Sequence, residues 1–458
     1  MINENFRKYL EEAIGHENAL VAFSAFEQPA SVAVRMNPFK SCACPSGKEV
    51  PWSRHGRILE QRPVFTLDPA FHGGAYYVQD SSSMFVGHAF RTLVESMVKP
   101  AGRHIRVLDL CAAPGGKSTD LAASLREMYG DDFLLVSNEV MKARVGILAD
   151  NMALWGDPNV VVTSDDPRAF AALDGFFDVI VADVPCSGEG MFRKDEQAQL
   201  QWSEDNVALC EARQRRIVAD VWPALAQNGL FIYSTCTFNT RENDGNVRWI
   251  SEELQAEVLL KEDRLAGMPG VFKTECGYSL VPGFVEGEGQ YCSALIKTGI
   301  SQPVFASRRS GRTAAKVQKL DIPKNVKEMF DRNVSQTLKG DMVIALPEYL
   351  KDDVSLLESF LHVIASGCAV GMVKGKDLVP DADLALSLML KEDAFQVADV
   401  DKDTALAFLH RDATMLTGME KGYVLIRYEG VNLGFVKNIG NRCNNLHPQS
   451  RRIRMNIK

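Results

Sequence analysis

Between Ile105 and Cys236, short apolar runs alternate with longer stretches in which apolar residues recur at helical spacing. The runs are IRVLDL (105–110), FLLVSN (133–138), VVVT (160–163), FFDVIVAD (176–183) and GLFIYST (229–235). Helices are predicted between them over 118–129, 141–155 and 204–226. Strands that read as nearly continuous apolar runs are those buried on both faces, with helices covering each side. The pattern predicts a doubly wound α/β domain whose ligands sit beyond the carboxyl ends of the strands.

The flanks read differently. Residues 1–100 open with a predicted helix over 3–14 and continue as short segments broken by Pro and Gly. The stretch 301–335, with SRRSGRTAAK at 307–316, reads as a linker or an RNA-facing loop, and 336–458 as a separate small α+β domain. A chain of 458 residues needs two or three such units. The expected boundaries are therefore 1–100, 101–300, 301–335 and 336–458. Neither a secretory leader nor an apolar run long enough for a bilayer is legible, so a cytoplasmic protein is expected. A net charge of -8 argues against a protein that coats nucleic acid nonspecifically, yet leaves room for a local basic patch.

The first strand runs through LDLCAAPGGKST (108–119) straight into a helix. A glycine turn there lets backbone approach a ligand, and the helix start offers free N–H groups. The turn matches neither G-x-G-x-x-G nor G-x-x-x-x-G-K-[ST]. Later strands end in Asn138-Glu139, near Asp165-Asp166 and in Asp183, with Asp109 on the first. Carboxylates suit ribose hydroxyls and an adenine amino group. They repel phosphates, so a nucleoside carrying a sulfonium fits better than a pyrophosphate.

Ten cysteines in a chain of this length, kept reduced in a cytosol, each need their own reading. Cys210, Cys276, Cys292, Cys368 and Cys443 read as small buried hydrophobes, and Cys111 as packing within the turn. Cys42 and Cys44, with His55 nearby, lack a fourth ligand and normal spacing, so no metal is expected. Cys186, in ADVPCSGEGMFRKD (182–195), and Cys236, in YSTCTFNTREND (233–244), both follow predicted strands on the same rim. Thiolate addition to carbon 6 of a cytosine makes carbon 5 nucleophilic toward a sulfonium methyl. A second thiol can serve the release step, and Asp183 can serve the ring edge.

CAAPGGKS (111–118), DVPCSGEGMFRKD (183–195) and YSTCTFNTREN (233–243) resemble the motifs of the Nol/Nop/Sun (Sun/Fmu) family of RNA 5-methylcytosine methyltransferases. RMNPFK (35–40) and GGAYYVQDSSSM (73–84) are similar to that family's N-terminal RNA-binding segment. GNRCNNLHPQSRRIRMN (440–456) resembles the C-terminal extension of the bacterial 16S ribosomal-RNA members. The resemblance implies a Rossmann-like class I methyltransferase with a PUA-like C-terminal domain and S-adenosylmethionine as cofactor. It further implies Cys236 as nucleophile, Cys186 as the releasing thiol, Asp183 on the cytosine edge and Lys117 near the centre. Cys111, Ala112, Ala113, Pro114, Gly115, Gly116 and Lys117, with Glu139, Asp166 and Asp183, would bind the cofactor, Asp166 being taken over Asp165 from the motif. Arg144 would steady the segment after the second strand. The stretch YSLVPGFVEGEGQYCSALI (278–296) departs from the family by lacking a basic run.

Arg442, Arg451, Arg452, Arg454 and Lys458 crowd the last residues and suit phosphate and 2′-hydroxyl contacts. Alternation of Ile453, Met455 and Ile457 predicts a final strand that displays these arginines on one face. The expected partner is RNA of the small ribosomal subunit, met by a monomer. Transfer RNA as substrate, a DNA enzyme using Cys186, and a noncatalytic assembly factor are the alternatives.

Overall fold

The computed structural model describes residues 3–43, 45–260, 263–300, 322–375, 377–413 and 415–457. Cys44, the linker residues Arg308, Arg309, Arg312 and Lys316, and Lys458 lie outside the described residues.

The centre of the molecule is a sheet of ten strands. Its parallel part holds β1 (Ile105–Asp109), β2 (Phe133–Asn138), β3 (Val160–Thr163), β4 (Phe177–Asp183) and β5 (Leu225–Thr235), in spatial order β3-β2-β1-β4-β5. Three short strands, β6 (Ala256–Val258), β7 (Val271–Lys273) and β8 (Tyr278–Leu280), and the longer β9 (Gln290–Lys297) extend it antiparallel beyond β5. Every residue of β2 and β3 is buried, as the unbroken apolar runs predict. Side chains alternate between two cores: Val107, Leu135 and Val179 face one, and Leu108, Leu134 and Ile180 the other.

The chain leaves β1 toward β2 and β3 on one side, and β4 and β5 lie on the other. The crevice beyond β1 and β4 is therefore the switch point at which such sheets bind ligands. Three helices frame it: α1 (Gly116–Tyr129), α2 (Lys142–Trp155) and α3 (Glu204–Val221). The helix expected to reach residue 226 stops at Val221. Pro223, lacking an N–H, sits in a turn of 3-10 helix over Trp222–Ala224, and β5 begins at Leu225.

The N-terminal region has two helices, Glu4–Ile14 and His16–Phe26, hinged at Gly15 with φ 84°. Only the first was predicted. Phe6, fully buried, meets Phe23, Phe26, Phe192 and Trp202 at centroid distances of 6.4, 5.9, 4.9 and 5.8 Å. It thereby clamps the helices onto the loop that follows β4. A four-stranded antiparallel sheet (Lys48–Val50, Ser53–Leu59, Val32–Met36, Tyr76–Val78) completes this region.

The last 120-odd residues form two further four-stranded sheets but do not stay apart from the centre. β10 (Val363–Ser366) pairs antiparallel with β3 at the edge of the large sheet. The preceding helix, Lys351–Phe360, carries Asp353, which accepts from His104 and from Arg106 at 2.7 Å. Burial works against this charge, but the hydrogen bonds outweigh it and hold the carboxyl below its ordinary range. Its folded value is depressed, so the stabilisation is present above the ordinary carboxylate value and is lost as pH falls from there through the lower folded value. Asp353→Asn is expected to cost about 3 kcal/mol at neutral pH. In urea unfolding the difference should fade below roughly pH 4.

The final strand predicted over 453–457 does not form. Residues 452–457 are irregular, and Ile453 is buried among Leu409, Val424 and Val436 without joining a ladder. The edge beside Val431–Asn438 is taken by Cys443–Asn445. No helix among the described residues is long and apolar enough to cross a membrane.

Candidate active site

Register brings the chemistry together. β4 and β5 run parallel with Asp183 opposite Ser234, and β9 pairs Tyr291 with Thr235. The ends of three strands thus meet at one point. Lys117, in the first turn of α1, sends Nζ to Asp183 Oδ2 and to Ser83 Oγ, both at 2.8 Å. Asp183 Oδ1 accepts from Ser234 Oγ at 2.7 Å and from Gln290 Nε2 at 3.2 Å. Asp183 is left partly exposed, at 28%, between these donors. Burial disfavours the ammonium of Lys117, but Asp183 holds it above its usual value, so this cation stays charged.

One residue beyond β5 and three beyond β4, Cys236 Sγ and Cys186 Sγ lie 3.3 Å apart. Their loops are braced from below. Gly190 N–H donates to Cys236 O at 2.7 Å, and a Cβ on Gly190 would stand 2.6 Å from that oxygen, so only glycine allows the approach. Glu189 Oε2 accepts from Phe238 and Asn239 N–H, and Glu242 Oε2 accepts from Ser187 N–H and Gln214 Nε2. Both carboxylates are fully buried, and burial pushes Glu242 up to about 7. The hydrogen bond to Cys236, burial, and the charges at Cys236 and Glu242 push the Cys186 thiol well up. The two thiols are within hydrogen-bond reach of each other, and either can donate.

The turn after β1 lies beside this centre. Ala112, Ala113 and Gly115 are buried and Pro114 is exposed; Cys111 packs against the core through its partly exposed side chain. Gly115 has φ 115°, and no side chain caps α1, which leaves its N–H groups free. Asn151 Nδ2 and Arg144 Nη2 hold Pro114 O and Ala113 O at 2.8 and 2.6 Å. Glu139 is buried after β2, capping Met141 N–H at 2.8 Å, with Val140 and Met141 half exposed beside it. Asp109 is fully buried; burial pushes it up to about 7, and its Oδ1 has no partner. Asp165 Oδ2 accepts from His362 N–H at 2.7 Å, whereas Asp166, with its side chain 44% exposed, remains at the rim. Carboxylate acceptors for ribose hydroxyls and an adenine amino group, half-exposed apolar side chains and helix N–H donors are the set that S-adenosylmethionine needs, so these residues fit that cofactor.

The C-terminal arginines divide. Arg442 and Arg454 are exposed. Arg451 instead bridges Asp383 and Asp150 at 2.7 and 3.1 Å, tying the C-terminal sheets to α2, and Arg452 lies 3.5 Å from His410. Ser83, Ser234, Gln290, Glu189 and Glu242 had no role in the sequence reading. Gln290 belongs to the very segment that departs from the family by lacking basic residues; it brings an amide donor to Asp183 there.

Three family models match the chain in order. They are the N-terminal domain of 16S rRNA methyltransferase RsmF over 2–81, 16S rRNA methyltransferase RsmB/F over 96–296, and the methyltransferase RsmF PUA domain over 395–453. A ribosomal RNA small subunit methyltransferase F from Klebsiella pneumoniae is 27% identical over 93% of this chain and 91% of its own. One from Cronobacter sakazakii is 33% identical over 66% and 65%. Among solved structures, a methyltransferase homologue from Pyrococcus horikoshii superposes with a TM-score of 0.53 at 25% identity, covering 64% of this chain and 95% of that one. NSun6 from the same organism, solved with SFG, gives 0.50 at 16% identity over 65% and 98%, a likeness of fold.

Fold and site together define a class I methyltransferase that takes its methyl group from S-adenosylmethionine. The chain belongs to the Nol/Nop/Sun (Sun/Fmu) family of RNA 5-methylcytosine methyltransferases.

Proposed function

We propose that the protein methylates carbon 5 of a cytosine in 16S ribosomal RNA, using Cys236 as nucleophile and Cys186 as the base of the release step. The observation that carries this is the thiol pair, 3.3 Å apart, on the two loops that follow the strands ending in Asp183 and Thr235. Cys236 Sγ, as the thiolate, bonds to carbon 6 as the carbon 5–carbon 6 π bond opens, and the displaced electron pair takes up a proton at ring nitrogen 3, the edge assigned to Asp183 and the charged Lys117 paired with it. When bound, S-adenosylmethionine would supply an electrophilic methyl group to carbon 5, its methyl–sulfonium bond breaking to leave S-adenosylhomocysteine. Once Cys236 is committed to carbon 6, its hydrogen bond and charge no longer hold the Cys186 proton, although burial and Glu242 still do. That proton can then pass to solvent, and the thiolate takes the proton from carbon 5 as the Cys236–carbon 6 bond breaks.

Glu139 and Asp166 are assigned to the cofactor's ribose and adenine, the helix start of α1 to its carboxylate, and Arg144 to support of the turn. Lys117 keeps Asp183 in place. A cytosine reaches Cys236 only by leaving its stack, so the target is a loop or an opened helix. Arg442 and Arg454 are the exposed candidates for RNA backbone contacts. The chemistry asks for no metal, because a thiolate replaces an activated water, and the enzyme is expected to act as a cytoplasmic monomer.

The test is transfer of labelled methyl from S-adenosylmethionine to total cellular RNA, followed by nucleoside analysis of each size class. The expected product is 5-methylcytosine in 16S RNA. Label confined to transfer RNA would keep the chemistry and overturn the substrate.

A further inference from the structure

By resemblance, RMNPFK (35–40) belongs to an RNA-binding segment, yet its polar side chains face inward. Arg35 is 1% exposed and Asn37 2%. Asn37 Nδ2 and Lys40 Nζ donate to Trp155 O and Leu154 O at 3.1 and 2.6 Å, satisfying the last carbonyls of α2. Arg35 reaches further. Its Nη2 donates to Thr119 Oγ1 at 2.5 Å and to Gly116 O at 3.2 Å, both in the first turn of α1. Nε donates to Gln79 Oε1 at 2.9 Å, and the guanidinium lies 4.8 Å over the ring of Trp155, the last residue of α2.

Stability does not explain this arrangement. A guanidinium taken out of water costs several kcal/mol unless it is well paired, and an apolar side chain of similar volume often serves a core better. The nearest carboxylate, Asp120, stands 3.8 Å from Arg35 and is shared with Arg91 at 2.9 Å. What the planar fork achieves is geometric, since one rigid group joins the start of α1 to the end of α2. Those two helices hold the cofactor turn between them, α1 by continuing it and α2 through Arg144 and Asn151 on Ala113 O and Pro114 O.

We propose that Arg35 is a positioning residue for S-adenosylmethionine, fixing the turn 111–117 from behind rather than touching RNA. The proposal rests on the assignment of that turn to the cofactor. Its test is calorimetric binding of S-adenosylhomocysteine and, separately, of the RNA substrate to wild type, Arg35→Lys, Arg35→Gln and Thr119→Val, with unfolding temperatures alongside. Arg35→Gln should weaken S-adenosylhomocysteine on the order of 10-fold to 100-fold. Arg35→Lys should recover part of the loss, Thr119→Val should lose a few-fold, and RNA affinity should hold in all three. A merely structural arginine would lower the unfolding temperature without separating the two affinities. Unchanged S-adenosylhomocysteine binding in folded Arg35→Gln overturns the proposal, as does RNA affinity falling while cofactor affinity stands. If Arg35→Gln does not fold, unchanged binding in Thr119→Val overturns it. Failure of wild type itself to bind S-adenosylhomocysteine would strike the cofactor assignment instead.

Discussion

Cys236→Ala is expected to abolish methyl transfer, with a loss of about 10⁴-fold or more in the single-turnover rate. Without the thiol, no bond forms to carbon 6 and carbon 5 keeps the weak nucleophilicity of an aromatic ring. The substitution removes one small side chain from a loop whose position is set by other groups. Gly190 N–H holds the backbone oxygen of residue 236, and Glu189 holds Phe238 and Asn239. Affinity for S-adenosylhomocysteine and for RNA should therefore remain within about two-fold of wild type, well under 1.4 kcal/mol. Rapid-quench transfer of labelled methyl, with binding measured on the same preparation, checks both halves.

Cys186→Ala should fail at the other end of the reaction. Addition and methyl transfer proceed, but no base takes the proton from carbon 5, and the enzyme stays bonded to its product. Loss of a positioned base slows release on the order of 10²–10⁴-fold. The visible result is a protein–RNA species that survives denaturing electrophoresis, forms only with S-adenosylmethionine present, and disappears in the double substitution with Cys236→Ala. The separate roles proposed for the two thiols predict the difference between the two single substitutions. Cys186 stands 3.3 Å from Cys236, close enough to serve as the base once Cys236 is bonded to carbon 6.

The parallel core was legible because its strands are buried on both faces, which leaves an unbroken apolar signature in FLLVSN and VVVT. That Cys186, Cys236, Lys117 and Asp183 lie on one rim was legible for a related reason. They sit just after strands or at the next helix start, and local sequence reports those positions. Ser83 and Gln290 were not, because each enters from a distant segment and nothing near it signals that it will meet Lys117 or Asp183. Glu189 and Glu242 look like ordinary loop acids in sequence. Their burial follows only from the packing of two loops against each other.

The C-terminal misreading has a physical cause too. Ile453, Met455 and Ile457 alternate as a strand would, but alternation records a preference for two faces, not the presence of a free sheet edge. Cys443–Asn445 already holds that edge, and Ile453 is buried beneath irregular chain. The same limit applies to Arg451. A basic cluster near a terminus reads as an RNA surface, while the two carboxylates that absorb this arginine lie 301 and 68 residues away. Likewise β10 joins the large sheet across 200 residues of chain, which no local pattern announces.

The most direct test of the central claim is to find which sulfur carries the RNA. A substrate RNA containing 5-fluorocytidine cannot lose fluorine as a proton, so the covalent intermediate is retained after methyl transfer. Proteolysis and mass spectrometry of the retained species then locate the bond. The account predicts the nucleotide on Cys236, both in wild type and in Cys186→Ala. Attachment at Cys186, or an adduct formed at the wild-type rate in Cys236→Ala, would contradict it.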